Sequence, residues 1–245
     1  SATHALLTDV PAAFRCEVND ALLTALALAL AQWQRRRGRP ATVPVIRLEG
    51  HGREEAVLPG ADLSRTVGWF TSIFPIRLDL GDLDLDDAGT AITVVKEQLR
   101  AVPDKGIGYG LLRRPGDETG QIAFNYLGRL DNTDSEHDWR PVRDGPAVFS
   151  SAEPSMPVTA LIDITAFTTH GALDATFDFP TGAIAAEDVR ALADLWEQAL
   201  TALAAVARSP HTSGSRRPTC RWSPWTARTS RNGNATVRVC STCGR

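Results

Sequence analysis

Cysteine is scarce over most of this 245-residue chain. Residues 1–208 hold only Cys16, and the other three, Cys220, Cys240 and Cys243, fall in the last stretch. One thiol over such a length leaves no disulfide framework and suits a reducing compartment, so a cytoplasmic location is expected. Long apolar runs are missing too. The longest, Ala21 to Ala31, is broken by Thr24 and falls short of the ~20 residues that cross a bilayer. No basic start leads into an apolar stretch at the N-terminus, so an attached secretory signal is not expected. Acids are absent from residues 209–245, which carry seven Arg and no Lys. All 29 acidic residues therefore lie in residues 1–208 against 19 bases, a net charge of −10 that the whole-chain value of −3 conceals. An acidic body is a poor match for nucleic acid, whose phosphates call for Lys and Arg. Histidine is sparse, at positions 4, 51, 137, 170 and 211, and no two are adjacent.

What is present is the balance of an ordinary soluble protein, 43% apolar and 22% charged. The length fits one large domain or two small ones, with ample chain to build a core. Val18 to Arg37 reads as a helix. Asn19 is placed to cap it, Leu22, Leu26, Leu30 and Trp33 share a face, and Arg35 to Arg37 suit the negative end of its dipole. Gly38 and Pro40 stop it. Val43 to Leu48 is a β-branched strand, residues 55–72 a loop, and Ile73 to Leu80 a second strand. Gly81 to Gly89 is an acidic turn, and Thr90 to Val102 an amphipathic helix ended by Pro103. Gln121 to Leu127 is a further strand, followed by a polar, irregular segment over 128–155 expected to be mobile. Val158 to Phe167 and Ala172 to Phe179 suggest a hairpin, and Ala185 to Ala207 the clearest helix. The fold class expected is α/β, a mixed sheet with helices on it. Gly106-Ile107-Gly108-Tyr109-Gly110 is no dinucleotide fingerprint, because it follows a helix and Pro103 instead of a strand.

Five segments carry more than composition: Asn19-Asp20-Ala21-Leu22-Leu23-Thr24-Ala25, Glu49-Gly50-His51-Gly52-Arg53-Glu54, Arg65-Thr66-Val67-Gly68-Trp69-Phe70-Thr71, Pro103-Asp104-Lys105-Gly106-Ile107-Gly108-Tyr109-Gly110 and Phe124-Asn125-Tyr126-Leu127-Gly128. In this order they resemble the later motifs of epimerization domains of nonribosomal peptide synthetases, within the condensation-domain superfamily. The resemblance implies a chloramphenicol-acetyltransferase-like half-domain over residues 1–208. In the family it packs against an N-terminal half that bears an HHxxxDG motif with a catalytic histidine. No such motif stands in this chain. The implied reaction inverts the α-carbon of an aminoacyl or peptidyl thioester, L to D. The substrate is presented on the 4′-phosphopantetheine arm of a carrier protein, with no cofactor bound directly. The implied partners are a peptidyl carrier protein and the missing half-domain, with no nucleic acid and no membrane.

Inversion needs titratable groups near the α-carbon and a stabilised enolate-like oxygen. Glu49 is the candidate acid/base, because a carboxyl at the end of an apolar strand can be desolvated and so hold a proton nearer neutrality. Taken alone, a strand-end glutamate is more often plain surface charge. His51, Trp69, Phe70, Asn125 and Tyr126 are candidate substrate or tunnel-lining residues, against the plainer readings of loop, core ring and satisfied core amide. Gly50, Gly52, Arg53, Gly68 and Gly108 are read as loop structure, Arg53 through an ion pair with an acid such as Asp62. Glu54 and Glu55 are read as solvated charge, Tyr109 as a turn element, and Lys105 as a candidate contact of the arm's phosphate. No metal site is expected. Cys240 and Cys243 have knuckle spacing, but Cys220 and His211 complete no common zinc pattern, and the Arg/Ser/Thr/Pro-rich tail 209–245 reads as disordered. Two other functions stand beside the epimerase: a condensation-type acyl transferase half, and a non-catalytic docking or scaffold piece.

Overall fold

A computed structural model of the protein describes residues 2–40, 42–117, 120–130, 157–208, 226–229 and 234–240. Strand-forming alternation builds its centre. β1 (Val45–Gly50), β2 (Ser72–Arg77), β3 (Ile122–Arg129), β4 (Ile162–Thr169) and β5 (Ala172–Pro180) form a mixed sheet. β1 runs antiparallel to β2 and parallel to β3; β3 is parallel to β4; β4 and β5 are antiparallel. The hairpin between β4 and β5 is tighter than the sequence suggests. Only His170 and Gly171 lie outside the strands, both with positive φ (51° and 73°), the two-residue turn whose twist matches its flanking strands.

The tail departs from expectation. β6 (Thr226–Thr229) and β7 (Asn234–Cys240) pair with one another, and β7 pairs antiparallel with β5, giving the order β2-β1-β3-β4-β5-β7-β6. The disordered reading missed two local signals. Ala235, Val237 and Val239 alternate, and Asn232-Gly233, a pair favoured in tight hairpins, precedes them. Cys220, Cys243 and His211, like the segment 131–156, lie outside the described residues.

Helices cover one face of the sheet. They are α1 (Ala2–His4), α2 (Val10–Phe14), with a π-helical turn Ala5–Asp9 between them, α3 (Val18–Arg36), α4 (Ala88–Arg100), the short α5 (Tyr109–Leu112) and α6 (Ala186–Arg208). The row Leu48, Phe124, Ile164 and Phe177, in register across four strands, is buried beneath them. Each such side chain gains roughly 1.5–3 kcal/mol on leaving water. Trp196 of α6 closes the row, edge-on to Phe177 at 5.8 Å and to Phe124 at 6.5 Å, with its indole N–H donating to the Leu22 carbonyl at 3.1 Å.

α3 is more deeply placed than a one-faced helix. Every residue from Ala21 to Ala31 is buried, because α4 and α6 flank it as well as the sheet; a helix apolar all round belongs in a core. Its start is Glu17, not Asn19. The Glu17 backbone N–H donates to Asp20 Oδ2 at 2.9 Å, a reciprocal arrangement that satisfies free helix-end groups. α4 secures the preceding turn, where Lys96 donates to the Phe14 carbonyl at 3.0 Å and Arg100 to the Arg15 carbonyl at 2.9 Å.

Candidate active site

The face of the sheet away from the helices holds the candidate acid/base. Because side chains alternate along a strand, Leu48 turns to the core and Glu49 turns away from it. The register that sets Leu48 beside Phe124 places Asn125 beside Glu49. The Asn125 amide Nδ2 donates to Glu49 Oε2 at 2.8 Å, so two of the five motifs meet in one hydrogen bond. Both side chains are half-buried. Burial pushes the Glu49 carboxyl above the usual carboxylate range; the charge of Asp163 adds to this and Arg47 opposes it. β1 extends through Glu49 to Gly50, so Glu49 is held by ladder bonds instead of standing past the strand's end. Such a carboxyl holds its proton more readily than a solvated one and is fixed in direction by an amide donor.

The loop after Glu49 is tied to two others. Gly52 has φ +65°, and a Cβ there would lie 1.6 Å from the Phe70 carbonyl oxygen, so only glycine allows this approach. Gly50, by contrast, is an ordinary strand residue. Arg53 donates to the carbonyls of Leu63 (2.6 Å) and Thr66 (2.8 Å) and lies over the Phe70 ring at 4.4 Å. These contacts take the place of the expected ion pair with Asp62, whose carboxylate accepts the Ser64 N–H. A planar, five-donor guanidinium satisfies two carbonyls and a ring at once.

Glu54 is not solvated charge. Its side chain is 12% exposed, and its two oxygens meet His51 Nε2 and Lys105 Nζ, each at 3.4 Å. Glu55 also has a partner, the Leu63 N–H at 2.6 Å. His51 Nδ1 accepts the Arg53 N–H at 3.0 Å, which leaves Nε2 to carry the ring's proton toward Glu54. Lys105, proposed from sequence to meet a phosphate, has its ammonium engaged by Glu54. Its backbone and that of Asp104 are left-handed (φ 49° and 46°), and Gly106 follows at φ 78° against the Phe74 ring. The glycine that this turn requires is Gly106. Gly108, with φ −78°, leads conventionally into α5.

His51, Arg53, Gly68, Trp69, Phe70 and Thr71 line an open hollow of about 320 Å³ beside this network. Trp69 is 92% exposed and Val67 fully exposed, so core packing is not what holds Trp69. Phe70 is half-buried under Arg53. Leu111 and Leu112 of α5 are 91% and 81% exposed. Tyr126, one residue past Asn125, points to the helix side, where its hydroxyl pairs with Thr168 Oγ1 at 3.0 Å. Tyr109 begins α5 with its hydroxyl oxygen buried and unpartnered. Among the described residues no group of His, Cys, Asp and Glu is arranged to hold a metal, and no helix is long and apolar enough to cross a membrane.

Two residues of this face escape sequence reading. Asp163 on β4 and Arg47 on β1 share the side of the sheet that holds Glu49, and Asp163 is pushed up by burial, with Arg47 opposing. A charged residue inside an otherwise apolar strand run was the available signal at both positions.

The condensation-domain family matches residues 1–215. Chondramide synthase cmdD of Chondromyces crocatus is 42% identical over 201 residues, covering 78% of this chain and 5% of that protein. Bacitracin synthase 3 of Bacillus licheniformis is 36% identical over 208 residues, 82% of this chain and 3% of that one. Among solved structures, the epimerization domain from the third module of tyrocidine synthetase B superposes with a TM-score of 0.71 at 32% identity, covering 85% of this chain and 46% of its own. A structure bearing on condensation domain-mediated chain release from the enacyloxin polyketide synthase gives a TM-score of 0.54 at 18% identity, covering 88% of this chain and 42% of its own, a likeness of fold alone. The chain thus spans a small fraction of the synthases it matches and under half of the solved epimerization domain. It belongs to the condensation-domain superfamily of the nonribosomal peptide synthetases.

Proposed function

We propose that this chain supplies the C-terminal half of an epimerization domain, which inverts the α-carbon of an aminoacyl or peptidyl thioester held on a carrier protein's phosphopantetheine arm. The observation that carries the reading is the Glu49–Asn125 pair: a half-buried carboxyl, raised by desolvation and oriented by an amide at 2.8 Å. The thioester carbonyl acidifies the α-proton. Glu49 takes that proton from one face, or returns one to it, and Asn125 keeps the carboxyl aimed while its protonation changes. The opposite face needs a second proton-transfer group, assigned to the half-domain with the HHxxxDG motif. The likeness to the tyrocidine epimerization domain supports inversion over amide formation. The hollow beside Trp69 is assigned to the arm's approach.

The test uses a carrier protein loaded with an L-aminoacyl thioester and chiral analysis of the released amino acid. This chain joined to an HHxxxDG half should convert L to an L/D mixture, and this chain alone should give no turnover above an enzyme-free control. Turnover by the chain alone would overturn the two-group reading. Amide formation with an added acceptor amine, without inversion, would replace the epimerase by a condensation-type transferase.

A further inference from the structure

We infer that Asp163 is a positioning residue for Glu49, acting by its charge from the same face of the sheet, with Arg47 facing it across Ala123. The inference rests on the reading of Glu49 as an acid/base.

The register fixes the geometry. Arg47, Ala123, Asp163 and Asp178 lie in one row across β1, β3, β4 and β5. Glu49, Asn125, Thr165 and Thr176 form the next row, one pleat along. Ala123 is the smallest side chain of the first row, so no bulk separates the guanidinium from the carboxyl two strands away. Arg47 is anchored from the far side, its Nη1 donating to the Thr159 carbonyl at 2.6 Å and its Nη2 to Thr159 Oγ1 at 2.9 Å, while its Nε is buried without a partner. The guanidinium is therefore held in place instead of swinging out to water.

The register places the other charged residues of this face among the described ones: Arg77 of β2 at the edge beside Val45, Asp178 beside Asp163, Asp174 further along β5 beside Phe167, Arg238 of β7 beside Thr176 and Arg228 of β6 beside Thr236. Asp163 and Glu49 are both half-buried, where charges are screened less than in open water. Two carboxyls in such a setting resist being ionised together. Consistent with this, Asp163 is the largest charge effect on Glu49 after burial; Arg47 acts in the opposite sense on both, and the carboxylate that raises Asp163 is Asp178. One face thus holds a proton-carrying carboxyl, a fixed cation and a second carboxyl, so that the first is neither pinned as an anion by Arg47 nor left to burial alone.

The experiment is a carboxyl-carbon NMR titration of the full chain, without substrate. Asp163→Asn should lower the Glu49 midpoint by roughly half a pH unit or more. Asp163→Ser removes the same charge with a smaller side chain and decides the matter if Asp163→Asn does not fold. Asp163→Glu keeps the charge and should keep the Glu49 midpoint. An unmoved Glu49 midpoint in the Asn or Ser variant would overturn the inference, and so would an equal fall in Asp163→Glu, which would mark a packing effect. The titration needs no turnover, so its failure is separable from failure of the epimerase reading, which shows only in the inversion assay with the HHxxxDG half.

Discussion

The two faces of the sheet solve different problems with the same strands. On the helix side, Leu48, Phe124, Ile164 and Phe177 meet Trp196, and that side is closed. On the other, Arg47, Glu49, Asn125 and Asp163 stand half-buried, and the neighbouring rim exposes Trp69, Val67, Leu111 and Leu112. Residues one position apart turn to different faces: Leu48 supports the fold and Glu49 is the proposed acid/base; Tyr126 binds Thr168 on the core side and Asn125 donates to Glu49. The closed face makes the open one exact in geometry, since β1 and β3 are locked in register by their apolar halves. A charge that would fray a surface loop can then be held at a fixed place on a strand.

The comparison is broken most severely from the closed side. Trp196→Ala removes the largest fully buried side chain among the described residues together with its hydrogen bond to Leu22, and should cost about 3–5 kcal/mol in urea unfolding. A loss under about 1 kcal/mol would mean that the helix layer does not depend on this ring. Next comes the hinge between the faces. Gly52→Ala forces a left-handed alanine into the Phe70 carbonyl; it should cost about 2 kcal/mol and separate the loop of His51 and Arg53 from that of Phe70. Quenching of Trp69 fluorescence, compared before and after the substitution, reads that separation, and unchanged stability and quenching would show the contact to be dispensable.

The smallest effect sits at the border of the closed face. Glu197 on α6 is pushed up from 4.5 to about 7, by burial first and by the charge of Asp194 second. The folded protein then binds this proton more tightly than the unfolded chain does. Its contribution is full below pH ~4.5 and is lost as pH rises through about 7. Glu197→Gln should accordingly raise the melting temperature at pH 8 by about 2 °C, discounted for solvent screening, and change little at pH 4. An equal effect at both pH values would exclude the titration.

Much of the closed face could be read from the chain. The apolar spacing of residues 186–208 and the alternation of β4 and β5 express burial directly, and their limits shifted by only a few residues. α3 was read as one-faced because periodicity reports an exposed side, and this helix has none along Ala21–Ala31. The open face was legible only in part. Glu49 and Asn125 were each found through their motifs, but their contact depends on the parallel register of β1 and β3, with residues 51–121 between them. Asp163 shows only its charge within an apolar strand run, and its place on the face of Glu49 depends on the same kind of register. Glu54 looked solvated because a charge in a loop usually is, and Lys105 looked free to meet a phosphate; the left-handed turn at Asp104 and Lys105 brings that ammonium to Glu54. The tail's pairing with β5 was lost behind an Arg-rich composition that outweighed a short run of alternating Ala and Val.

Glu49 bears the weight of the chemistry proposed for the open face. In the chain joined to an HHxxxDG half, Glu49→Gln keeps the Asn125 contact in shape while removing the transferable proton. Exchange of the substrate α-proton with deuterated solvent, followed alongside inversion on a loaded carrier protein, tests it most directly. The expected result is a fall of at least roughly a hundredfold in the inversion rate, the size for loss of a general acid/base, with unfolding stability little changed. Exchange and inversion both at the rate of the unsubstituted domain would contradict it and leave Glu49 a structural carboxyl.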